Sequence, residues 1–142
     1  MSRRGYGQQQ PKPAIADQDR KFMEDAIRSL PRAPQPGGES AFADRLLNYG
    51  YHTNPYVRTF TSVLWSGYAL SRGQVVDSDA RFRKAKEDAT VSNVDRTTIA
   101  ALDSAHSALQ HSLAPSGSVA TFLDELRERT IQRMWARVCE TS

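Results

Sequence analysis

The sequence predicts an all-α protein, an antiparallel four-helix bundle with a flexible N-terminal arm and short accessory helices. Three observations lead there. Apolar residues recur at three- and four-residue steps in several windows. Most windows follow a capping residue and end at glycine or proline. No stretch alternates apolar and polar residues convincingly, so no strand is expected. The 142 residues fit one domain, divided into an arm over 1–16 and a helical domain over 17–142.

The chain is organised around Asn54 to Gly73. Asn54 suits an N-cap, Pro55 the first helical position and Gly73 a left-handed stop. Val57, Phe60, Val63, Leu64, Gly67 and Tyr68 share one face, with Arg58 and Arg72 outside it. At ~1.5 Å per residue this helix spans about 27 Å, enough to cross a small domain.

Upstream, residues 1–16 combine Gly, Gln and Pro with few large apolar groups, a composition that does not offset the entropy of ordering. Asp17 to Leu30 reads as a first helix, with Phe22, Met23, Ala26, Ile27 and Leu30 as its stripe. Residues 31–38, PRAPQPGG, form a turn-rich linker. Ser40 then caps a short helix with Phe42, Ala43, Leu46 and Leu47 inward, stopped by Gly50. Tyr49, Tyr51 and His52 read as an aromatic loop covering the core.

Downstream, Ser78 is expected to cap a helix from Asp79 to about Thr90, dominated by charge, with Phe82 its only large apolar residue. Its bases come first and its acids last, against the macrodipole. Asn93 or Asp95 starts the next helix, whose stripe is Ile99, Leu102, Ala105 or His106, Leu109 and Leu113. Ser118 caps a final helix, with Val119, Phe122, Leu123, Leu126, Met134, Trp135 and Val138 inward. Arg127, Glu128, Arg129, Arg133 and Arg137 take the other side, and Glu125–Arg129 is spaced as an ion pair.

Composition narrows function less than fold. The net charge is +3, and only four of the cationic residues are lysine: Lys12, Lys21, Lys84 and Lys86. Arginine presents a planar fork suited to phosphate or carboxylate. The single cysteine, Cys139, permits no internal disulfide and makes a reducing compartment the default. No run approaches the ~20 apolar residues of a membrane span. The opening MSRRGYGQQQPKP lacks the apolar core of a secretory signal.

Enzyme signatures are missing: no phosphate loop of P-loop or Rossmann form, no GxSxG and no HExxH. His52, His106 and His111 have no cysteine or acid at ligand spacing, and no cofactor, metal or small-molecule substrate is expected. The acidic pairs Asp77/Asp79 and Glu87/Asp88 sit in charged surface rather than in the apolar setting a catalytic carboxylate needs.

From Asn54 to Arg83, NPYVRTFTSVLWSGYALSRGQVVDSDARFR resembles the coat-protein core of rod-shaped plant RNA viruses, the benyvirus group most, in its Asn-Pro-aromatic-Val opening, Gly-Tyr-Ala-Leu helix and Asp-x-x-Phe. The later TTIAALDSAHSALQHSLAPSGSVATFLDEL is similar in layout to the tobamovirus core: a long Ala/Leu helix, a short Gly/Ser turn, then phenylalanine followed by acids. The resemblance implies a four-helix bundle that polymerises into a helical virion around single-stranded RNA, formed in the host cytoplasm. It implies phosphate contacts by Arg72, Arg81, Arg83 and Arg96, with Lys84 and Lys86, and repelling carboxylates at Glu87, Asp88 and Asp95. A packaging protein ignores base sequence, so it holds phosphates with Arg and Lys and packs bases on apolar or aromatic groups. The alternative is a non-catalytic helical subunit of a large cellular complex, organellar respiratory or ribosomal, which self-assembly distinguishes from a capsid subunit.

Overall fold

The computed structural model describes residues 16–30, 46 and 49–141, and every regular element among them is helical. The expected arm and linker fall outside these residues apart from Ala16, and so does the short helix after Ser40 apart from Leu46, which is helical and fully buried. The helices are α1 (Asp17–Ser29), α2 (Pro55–Ser71), α3 (Val75–Val91), α4 (Arg96–Ser112), α5 (Val119–Glu125) and α6 (Gln132–Thr141). A π-helical segment, Leu126–Ile131, joins α5 to α6.

α2 is the central element. Asn54 caps it by accepting from the Tyr56 N–H at 2.9 Å, with Pro55 at the first position. From Thr59 to Leu70 every residue but Trp65 is buried. The expected stripe is therefore one side of a helix covered all round, as a core helix is. Gly67 lets neighbours close in: a Cβ there would lie 3.1 Å from Leu30, just after α1, and 3.3 Å from Leu126.

The α2–α3 turn is a Schellman stop. Gly73 adopts φ 80°, its N–H donates to Leu70, and the Gln74 N–H donates to Ala69. α3 begins directly afterwards, four residues before the expected Asp79. Ser78 is not its cap but part of the helix contact. The Ser66 and Ser78 hydroxyls lie 3.0 Å apart and each reaches the other's backbone carbonyl, at 2.7 and 2.8 Å. Two small buried side chains thus bring the helices close and satisfy their own hydroxyls. Farther from the turn Arg58 meets Asp88, so α2 and α3 run antiparallel. Asn93, at φ 59°, is the left-handed stop of α3, and Asp95 is the cap of α4, accepting from the Thr98 N–H at 3.0 Å.

Ser118 caps α5 through the Thr121 N–H at 3.2 Å. The π segment holds one more residue per turn than the α-helical spacing assumes. Thr130 and Ile131 are therefore buried together, between Leu126 and Met134. The i,i+4 pairing of Glu125 with Arg129 does not form; Arg127 pairs with Asp124 and Glu128 instead. α6 packs Trp135 against Phe60 of α2, and α1 reaches the same ring with Arg20 and Glu24.

Replacing Ser78 with valine removes the hydroxyl that donates to the Ser66 carbonyl and adds bulk where α2 and α3 meet. Urea unfolding should show a loss of about 2–3 kcal/mol, whereas Ser107→Val on the exposed side of α4 should leave the midpoint nearly unchanged.

Candidate nucleic-acid interface

The charge on α3 divides by what it meets. Toward α4, Asp79 accepts from His106 Nε2 at 2.7 Å and from Arg83 at 2.8 Å. The Lys86 ammonium stands 3.1 Å from His106 Nδ1 and 3.2 Å from Asp103. An ammonium only donates, so in this arrangement Nδ1 faces it as the acceptor while Nε2 faces the Asp79 carboxylate. Its ring stacks on Phe82 at 5.4 Å and is buried. The His106 bond, with Arg83, holds the Asp79 carboxyl below its ordinary value. Arg83 and Lys86 are thus engaged within the chain, and His106 is a structural link between helices.

At the far end of α3, Arg58 holds Asp88 with two nitrogens, at 2.9 and 3.0 Å, while its third reaches the carbonyl of His52 at 2.7 Å. Ser92 completes the set by accepting from Arg58 and donating to Asp88. This fork lowers the Asp88 carboxyl and raises the Arg58 guanidinium from their ordinary values. Asp95 accepts from the Tyr56 hydroxyl at 2.7 Å, from Thr98 and from Arg137 at 3.2 Å, and Arg137 also lies over the Tyr56 ring. The Tyr56 bond is the largest reason that Asp95 falls to about 2. Of the three candidate carboxylates, only Glu87 is exposed without a partner among the described residues.

The opposite side of α3 differs. Arg81 lies 4.2 Å from the centre of the Trp65 ring, and Lys84 lies 5.7 Å from that of Tyr51. These four side chains line one shallow recess, with Gly50, Thr61 and Ser62 between them. Tyr51 is 80% exposed, so this tyrosine does not cover the core; Tyr49 is half-buried and donates its hydroxyl to Asp19 of α1. The nearest carboxylate to Arg81 is Asp77 at 3.7 Å, a half-exposed and loosely spaced i,i+4 pair.

No family model, curated protein or solved structure matches the chain. Arg81 and Lys84 come together with two aromatic rings. Arg72 sits over Tyr68 before the start of α3 and Arg96 opens α4 beyond its end, so α3, about 24 Å long, separates them. Reading the sequence missed Tyr51 and Trp65 as partners of the basic residues. The signal available was that Trp65 falls off the α2 stripe and Tyr51 lies in a polar loop.

The low Asp95 value has a consequence in acid. Its folded-state value lies below its ordinary 3.8, so its stabilisation is full above about pH 4 and lost as pH falls toward about 2. Asp95→Asn, which retains an N-cap side chain, should lose less stability than the parent over that window in urea melts.

Proposed function

We propose that the chain is a capsid subunit that assembles into a helical particle around single-stranded RNA. The observation that carries this reading is the exposed Tyr51 ring and the Trp65 ring, each with a cation over it, from Lys84 and Arg81. Single-stranded nucleic acid is held without sequence preference by cations on its phosphates and by aromatic faces under its bases. Lys84 and Arg81 supply the first and Tyr51 the second. The half-buried Trp65 orients Arg81 from below.

The proposed unit is a four-helix bundle formed by α2, α3, α4 and the α5–α6 run. The antiparallel α2–α3 pair supports it, as do the α3–α4 links at Asp79–His106 and Lys86–Asp103 and the return of Trp135 to Phe60. Within it the protein acts by binding and assembly rather than by catalysis. Arg72 and Arg96, both exposed, extend the positive surface beyond the recess. A modest net charge of +3 fits a subunit that covers few nucleotides and gains affinity from its neighbours.

Binding of fluorescent single-stranded RNA of mixed sequence tests the patch. Tyr51→Ala should weaken binding by about 5- to 100-fold, the effect of one lost stacking contact. Arg81→Gln with Lys84→Gln should reduce the salt dependence by about 0.7 in slope for each phosphate contact removed. Unchanged affinity and slope in both variants would reject the assignment.

A further inference from the structure

A groove follows the seam between α4 and the α5–α6 run. It has two stretches, of about 270 and about 200 Å³, which share Ala101, Arg129, Thr130 and Arg133. On α4 it extends from Thr97 to Ala108 over small residues, Ala101, Ser104 and Ala105, a length of about 16 Å. Phe122, Leu126 and Met134 form the other wall. Arg129 and Arg133 stand exposed on the rim and make no hydrogen bond or ion pair among the described residues. Arg137, at one end, is engaged by Asp95 and Tyr56; Glu125 and Glu140 also line the groove.

The same chain carries a matching surface elsewhere. Val91, in the last turn of α3, is 85% exposed, the most of any large hydrophobic residue described. Glu87 lies one turn earlier on the same face, exposed and without a partner among the described residues. The C-terminal end of a helix adds partial negative charge there. One surface thus offers an exposed valine beside a carboxylate, and the other an apolar groove beside two guanidiniums, none of these charges paired among the described residues.

We propose that Val91 of one copy seats in the groove between α4 and the α5–α6 run of the next copy, with Glu87 against Arg129 and Arg133. The two surfaces are different, so the contact is heterologous and continues from copy to copy instead of closing as a symmetric pair. The inference rests on the assembly reading above and names the surfaces through which it occurs.

Sedimentation velocity at low salt tests the charge match. Glu87→Arg and the pair Arg129→Glu/Arg133→Glu should each weaken self-association about tenfold or more, and the three changes together in one chain should restore it. Covalent trapping tests the contact itself. In a Cys139→Ser background, chains carrying Val91→Cys and chains carrying Ser104→Cys should give a disulfide-linked mixed dimer when oxidised together. If the parent never associates, the assembly reading falls and the interface with it. If the parent associates but neither charge reversal nor mixed cysteines register, the interface alone is wrong. If Arg129→Glu/Arg133→Glu weakens RNA binding while association is unchanged, the groove takes an anionic ligand instead of a second copy, which also overturns the proposal.

Discussion

The contact between Ser66 and Ser78 sets the terms for the rest of the molecule. α3 has one large buried apolar side chain, Phe82, beside the small Ala85 and Ala89. So thin a seam favours a helix only when its neighbour comes very close. Two buried serines allow that approach, and each offers its hydroxyl to the other's carbonyl, so neither serine hydroxyl is left unsatisfied. Larger apolar residues would have spread the helices and left the charged α3 with little to hold it.

Once α3 is fixed, its charges fall into two groups. Those facing α4 and the start of α2 are consumed inside the chain: Asp79 with His106 and Arg83, Lys86 with Asp103, and Asp88 with Arg58. All but the Asp79–Arg83 pair, which lies within α3, fasten one helix to another, with burial and forked geometry making the Arg58–Asp88 pair the strongest of them. Arg81 and Lys84 turn the other way, onto aromatic rings, where a cation keeps most of its capacity for an anionic partner. The same division recurs at the other end of the fold. Arg137 is bound to Asp95 and Tyr56, while Arg129 and Arg133 on the same helical run are not engaged by any described residue.

Much of the fold is legible in the sequence. Asn54 and Ser118 cap as expected, Asp95 is the one of two expected starts that caps α4, and Gly73 stops α2 with the positive φ that glycine tolerates. These are local chemical signals, readable without knowing the neighbours. The start of α3 is not, because Ser78 is as good a cap as it is a packing residue and only the partner Ser66 decides between the roles. The π segment is not either. Leu126, Thr130, Ile131 and Met134 satisfy α-helical spacing well enough that nothing marks the extra residue, yet it decides which arginines reach the groove. The candidate site was legible as a run of bases on α3, but which bases stay available depends on residues far away in sequence: Asp103 and His106 for Lys86, Trp65 for Arg81 and Tyr51 for Lys84.

The proposed subunit is a helical brick whose surplus guanidinium and ammonium groups would meet a polyanion when copies line up. Negative-stain electron microscopy of the purified chain, alone and with single-stranded RNA of unrelated sequence, tests it most directly. The account predicts discs or rods whose length follows the length of the RNA added, with that RNA protected from ribonuclease. A chain that stays monomeric under every condition, and leaves the RNA open to digestion, contradicts it.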